Sequence, residues 1–185
     1  MPAVILTGGP GAGKTTLLHE FAARGYPTVD ESARAIIAER LGRGATARPD
    51  LPAFAREILR RDVAKYLATR PIARWVFFER GVVDALGFLH EVSPWPAGEL
   101  QETLARYRFH HRVFILPPLE SIYTNDAERD QPFAEAVDIH ARVVGWYQSC
   151  GYALCEVPRL PAPQRADHVL RVLAEDGAEE TSAGL

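Results

Sequence analysis

The stretch GGPGAGKTT at residues 8–16 constrains this 185-residue chain more than any other part of it. Four glycines in six residues let the backbone turn tightly, so that successive N–H groups converge on one concavity. Ala3-Val4-Ile5-Leu6 before the loop has the pattern of a short buried strand. Residues 17–23 after it read as a helix. A glycine loop between strand and helix that ends in Gly-Lys-Thr is the phosphate-binding pattern G-x-x-x-x-G-K-[ST]. The free N–H groups and dipole of the helix start favour anions there. Gly8, Gly9, Pro10, Gly11, Ala12, Gly13, Lys14, Thr15 and Thr16 are therefore the expected nucleotide-binding residues. Lys14 is expected on the β- and γ-phosphates and the Thr15 hydroxyl on Mg²⁺. The chain writes nearly all its cations as arginine and has only two lysines, Lys14 and Lys65. A slim point charge is kept where phosphate needs one.

Downstream, strand and helix patterns alternate, which argues for a parallel sheet covered on both faces. Strands are expected at residues 27–29, 75–78, 112–116 and 153–157, the last as a buried strand. Helices are expected at 30–41, 51–69, 81–90, 99–106, 134–148 and 164–174. Residues 30–32, Asp-Glu-Ser, read as the cap of the second helix. The length suits one domain over residues 1–175, with an unstructured tail at 176–185.

Net charge is −3 and no run of Lys or Arg forms a basic stripe, so nucleic acid is not an expected partner. No apolar run approaches a membrane span, and the first strand leaves no room for a leader, so a cytoplasmic protein is expected. Cys150 and Cys155 fit reduced packing thiols, and no Cys/His set has zinc spacing. The six histidines read as structural or solvated.

Ligands in open α/β sheets bind beyond the carboxyl ends of the strands. Glu79 and Arg80 follow the third strand there, with Glu79 a candidate for Mg²⁺ and Arg80 for a phosphate; a plain strand-end ion pair is the alternative. Asp30 and Glu31 end the second strand, where a carboxylate either orients an acceptor hydroxyl or caps the helix. Arg34, one turn on, either holds a substrate anion or pairs with Glu31. The polar segment 125–131 reads as a lid carrying Arg129 over the phosphates, or as a solvated loop.

The assembled motifs resemble the small AAA-domain group of P-loop ATP-binding proteins that includes the nicotinamide riboside kinase domain. The matching blocks are TGGPGAGKTTLL at residues 7–18, DESARAII at 30–37, FFERGVVDALGF at 77–88 and YTNDAERDQPFAEA at 123–136. The resemblance implies a P-loop kinase-like α/β fold, a five-stranded parallel sheet of order 2-3-1-4-5 with helices on both faces, and a lid. It also implies ATP and Mg²⁺. Lys14, Glu31 and Arg129 take the catalytic positions, and Asp30, Glu31, Arg34, Arg80 and Asp84 the substrate-binding ones. Thr15 and Glu79 take the metal. Two positions depart from the group's pattern: Glu79 stands where Asp is usual, and Asp130 where a second basic residue is.

The expected function is ATP- and Mg²⁺-dependent phosphoryl transfer of the nucleoside/nucleotide-kinase type to a small-molecule acceptor. The acceptor would lie over the ends of the second and third strands against the helix at 51–69, with adenine near residues 158–163. The alternative is a regulatory nucleotide-binding ATPase or GTPase that hydrolyses slowly and has no small-molecule acceptor.

Overall fold

The computed structural model describes residues 3–45, 50–118 and 133–183, with side chains of the last helix through residue 178. Five strands form one parallel sheet: β1 (Ala3–Gly8), β2 (Thr28–Val29), β3 (Val76–Glu79), β4 (Arg112–Leu116) and β5 (Ala153–Glu156). Their order is β2-β3-β1-β4-β5, as the resemblance implied. Seven helices cover it: α1 (Lys14–Ala23), α2 (Ser32–Gly42), α3 (Leu51–Thr69), α4 (Val82–Val92), α5 (Ala97–Arg106), α6 (Phe133–Ser149) and α7 (Ala162–Ala183).

Period-two alternation divides the strand residues between two cores. Val4, Leu6, Phe77, Phe114 and Leu116 face Leu17, Leu18 and Phe21 of α1 and Val169 and Leu173 of α7. Ala3, Ile5, Val76, Phe78 and Val113 face Tyr66 of α3, Val82 and Leu86 of α4, Leu100 of α5 and Tyr147 of α6. Phe21 and Phe77 stack at 3.6 Å between centroids, which pins α1 to the middle of the sheet.

The register fixes the functional end. Leu6 lies beside Glu79 and Gly8 beside Leu116, so the β1 loop, the β3 end and the β4 end share one rim. The ladder runs one residue past β3, with the Arg80 N–H donating to the Leu6 carbonyl at 3.0 Å. Gly8 has φ +136°, and a Cβ there would meet the Leu116 carbonyl oxygen at 2.3 Å. That neighbour is sheet backbone and cannot step aside. Gly8→Ala should therefore lose roughly 2–4 kcal/mol of stability from backbone strain plus overpacking. Chemical denaturation measures this, and an unchanged midpoint and slope would refute it.

Three expectations are corrected. The 30–32 segment does not cap α2 through a carboxylate: Glu31 is the N-cap residue but makes no side-chain cap bond, because its carboxylate is drawn to Arg80. β5 is not buried, its four side chains being half-buried or exposed, because it is the sheet edge next to β4 alone. The last helix does not stop near residue 174 but runs to Ala183, so most of the presumed tail is helical. Asp176, inside that presumed tail, is buried and accepts two hydrogen bonds from Arg112 at 2.9 and 2.5 Å. A residue pattern tuned for exposure could not reveal that ion pair.

Candidate active site

The glycine loop closes onto α1 through Gly13, the N-cap, at φ +78°, and no side chain satisfies the helix start. The open N–H groups there remain for an anion. Lys14 is buried, and its Nζ donates to the carbonyls of Gly8 at 3.2 Å and Gly9 at 2.8 Å. Burial, and then the nearby Arg80 charge, lower its pKa to about 8. An ammonium held so far from water is primed for a polyanion. Behind the loop, buried Arg165 of α7 donates to the Ala12 carbonyl at 3.2 Å and to the Leu160 carbonyl. This ties the phosphate loop to the segment after β5, where the adenine is expected.

The Thr15 hydroxyl donates to Glu79 Oε1 at 2.9 Å, and Glu79 is buried. A hydroxyl and a carboxylate side by side, both oxygen donors beside a phosphate cradle, fit Mg²⁺, which takes few protein ligands and fills the rest with phosphate and water. Glu79 is on the α1 side of the sheet, one residue before Arg80 turns away. Arg80 has φ +62°, a left-handed conformation rare for a side chain of its size. That turn aims the guanidinium across the rim. Its Nη2 donates to the Gly8 carbonyl at 3.0 Å, Nε lies 3.2 Å from Glu31, and Nη1 lies 3.3 Å from Asp84. Burial opposes the charge of Arg80, but Glu31 and Asp84 more than offset it and raise its pKa. Burial likewise opposes ionisation of Glu31, while Arg80, Lys14 and Arg34 hold its pKa below the ordinary value.

Asp84 is a hub. One oxygen accepts from Thr7 at 2.6 Å and from Arg80, and the other from Tyr147 at 2.5 Å. Burial and the Asp84 charge push the Tyr147 phenol well above its usual pKa, so it stays a donor. Three hydrogen bonds from the protein make Asp84 the brace of Arg80, at a position the resemblance assigned to the substrate.

Beside this rim lies a cavity of about 370 Å³ between α2, α3, α4 and α6. Pro10 of the phosphate loop, Glu31, Arg80 and Asp84 line its inner end, and Phe54, Phe88 and Trp146 supply flat apolar walls. Glu31 thus sits where phosphate loop and cavity meet. Asp30 does not reach the cavity: it is exposed, and its carbonyl accepts from Lys65 at 2.6 Å. Arg34 is exposed and outside the lining, acting on Glu31 only through its charge. Arg129 and the 125–131 segment lie outside the described residues.

Sequence reasoning missed Thr7, Tyr147, Arg165, Ser32 and Asp62. Only Asp62 carried a usable signal. Phe54, Ile58, Asp62 and Tyr66 recur every fourth residue along α3 and are 4%, 8%, 7% and 5% exposed. A carboxylate inside an apolar stripe is a polar group with a reason to be there. Asp62 lines the cavity, and its Oδ1 accepts a very short hydrogen bond from the Ser32 hydroxyl. Burial raises its pKa from 3.8 to about 6. Between pH 4 and 6 the folded chain therefore holds a proton that the unfolded chain has released, so this group's contribution to stability falls as pH rises through that window. Asp62→Asn keeps an acceptor for Ser32 and removes the titration. Its stability relative to the natural protein should rise by about 2 kcal/mol between pH 4 and 7. Denaturation curves at both pH values test this, and parallel changes in the two proteins would refute it.

His110 and His111 lie with Asp176 at the opposite end of the sheet, their Nε2 atoms 3.8 and 3.9 Å from its Oδ2. Arg112 already holds both oxygens of that carboxylate, which makes this an ion-pair anchor of α7.

No helix among the described residues is long and apolar enough to cross a membrane. Three solved structures share the architecture. Deoxyadenosine kinase from M. mycoides, with dCMP and dCDP bound, superposes with TM-score 0.64 at 12% identity over 94% of this chain and 99% of that one. Thymidylate kinase from Candida albicans gives 0.62 at 10% identity over 95% and 92%. Shikimate kinase from Acinetobacter baumannii, in complex with shikimate, gives 0.57 at 17% identity over 95% and 94%. At these identities the likeness is one of fold. No curated protein matches the chain. A family model described as "AAA domain" matches residues 3–165, which span the whole sheet and α1 to α6. The chain belongs to that AAA-domain family and is built on the fold of the P-loop kinases.

Proposed function

We propose that this protein transfers the γ-phosphoryl group of ATP to a hydroxyl of a small molecule held in the α2–α3–α4–α6 cavity, as a cytoplasmic enzyme of the nucleoside/nucleotide-kinase type. The observation that carries this reading is the continuity of the cavity with the phosphate loop, with Pro10 and Glu31 both lining it. A nucleotide-binding regulator has no need of a half-closed, aromatic-walled pocket beside its phosphate loop.

The chemistry follows from the charges. Phosphoryl transfer asks mainly for positioning and neutralisation. Lys14 and the α1 N-terminus hold the phosphate oxygens, and Thr15 and Glu79 would hold Mg²⁺, which neutralises charge on the transferring group. Glu31 accepts a hydrogen bond from the acceptor hydroxyl and aims its oxygen at the γ-phosphorus. Its depressed pKa suits orientation more than early proton removal, which a loose transition state does not require. The bond from the acceptor oxygen to the γ-phosphorus forms as the bond from that phosphorus to the β,γ-bridging oxygen breaks; ADP leaves with that oxygen, and the hydroxyl proton passes to the new phosphate ester and then to water. Asp84, Thr7 and Tyr147 keep Arg80 rigid between Glu31 and the loop carbonyl of Gly8.

A screen of hydroxylated metabolites with ATP and Mg²⁺, read as acceptor-dependent ADP release, tests the proposal. The expected result is release well above the acceptor-free rate for some member. Tight nucleotide binding with no stimulation by any acceptor would refute transfer and return the protein to the regulatory reading.

A further inference from the structure

The acceptor cavity is lined by four carboxylates, Glu31, Asp62, Asp84 and Glu91, against two guanidinium groups, Arg80 and Arg142. Arg80 is already committed to Glu31, Asp84 and the Gly8 carbonyl. Arg142 sits at the solvent edge, 60% exposed and 3.9 Å from Glu91. No described cation in the deep part is therefore left to receive an anion. Asp84 already accepts three hydrogen bonds from its own partners. Asp62 is different. It sits on α3 deep in the lining, and its one hydrogen bond among the described residues goes to Oδ1. A carboxylate offers about four lone-pair sites, so most of its accepting capacity is open. An apolar stripe keeps such a group only at a cost in stability, which a ligand that donates to it would offset.

We infer that Asp62 is the specificity-determining residue of this pocket: braced by Ser32, it takes an N–H or O–H of an uncharged or cationic, flat-ringed acceptor and turns away acceptors bearing a phosphate or carboxylate. The inference rests on the cavity being the acceptor site of a phosphotransferase. Phe54 and Phe88, edge to face at 6.2 Å, and Trp146 form walls suited to a ring. Glu31 at the inner end adds a second negative charge facing any anion, and the low dielectric of a half-closed cavity strengthens both repulsions. Like-charge rejection of this kind discriminates by loss of binding to the wrong ligand more than by gain for the right one.

The test uses the full chain, with a panel of ribo- and deoxyribonucleosides set against the same compounds carrying a 5′-phosphate. Binding is measured by calorimetry with a non-hydrolysable ATP analogue present, and ADP release is measured in parallel with ATP. Uncharged members should bind at least tenfold more tightly than their phosphorylated counterparts. Asp62→Asn should shrink that ratio by tenfold or more while leaving the KM for ATP unchanged. A merely structural role for Asp62 would lower stability or kcat without moving the ratio. Tighter binding and turnover of phosphorylated members, or an unmoved ratio in a folded Asp62→Asn protein, would overturn the inference and leave the phosphotransferase reading in place. Absence of acceptor-dependent ADP release across the whole panel and the wider metabolite screen would overturn both. Should Asp62→Asn fail to fold, Ser32→Ala, which frees the Asp62 oxygen from its brace, should shift the same ratio by several-fold, and no shift would overturn the inference.

Discussion

Lys14→Ala should bind ATP roughly 30- to 5,000-fold more weakly, the loss of about 2–5 kcal/mol that follows truncation of one partner of a desolvated charge contact. Turnover at saturating ATP should fall by a further ~10²–10³, because the ammonium also meets the charge that develops on the transferring group. Calorimetry gives the first quantity and a coupled ADP assay the second; normal values for both would end the phosphate-loop reading. The burial of Lys14 adds a signature of its own. With its pKa held at about 8 by burial and by Arg80, Lys14 of the free protein is half deprotonated near pH 8 and loses its proton as pH rises through that value. Phosphate raises the pKa again, so binding takes up as much as one proton, and ATP affinity should fall with rising pH above 8 by up to tenfold per unit. In Lys14→Ala that slope should vanish.

Glu31→Gln should lose ~10²–10⁴ in acceptor-dependent kcat while ATP affinity stays close to normal. Its Oε1 lies 3.2 Å from Arg80 Nε at the junction of phosphate loop and cavity, where an acceptor hydroxyl would stand. Glutamine keeps the shape and removes the charge that Arg80 and Lys14 hold ionised. The variant leaves half-buried Arg80 with Asp84 as its remaining ion-pair partner, so a lowered melting temperature is expected as well. Activity is therefore read well below that temperature. A folded variant with normal acceptor-dependent turnover would make Glu31 a structural counter-ion of Arg80.

Legibility in the sequence tracked the range of the interaction. The phosphate loop could be read because its function is made by consecutive residues. Nine positions carry the turn, the helix start, Lys14 and Thr15. The helix at 51–69 and the strand at 112–116 were read to the residue, since their apolar spacing is itself the signal. Glu31 was read ambiguously. A carboxylate before a helix is as much a cap as a ligand until its spatial partner is known, and that partner, Arg80, is 49 residues away. Asp62 went unnoticed although its place in the α3 stripe was visible, because its meaning depends on Ser32 and on the cavity beside it.

The sequence by itself determined the parallel α/β sheet, the anion-binding loop and the set of charged residues at the strand ends, all properties of local pattern. Tertiary structure decided how those charges are used. It gave Thr15 and Glu79 to one another on the α1 side of the sheet, and turned Arg80 through a left-handed backbone to meet Glu31 and Asp84 on the other. It left Asp30 and Arg34 in solvent and brought in Tyr147 from α6. The reason is physical. A carboxylate's role is set by which cation or donor lies within about 3 Å and by how much water remains, and both are fixed by packing between segments far apart in the chain.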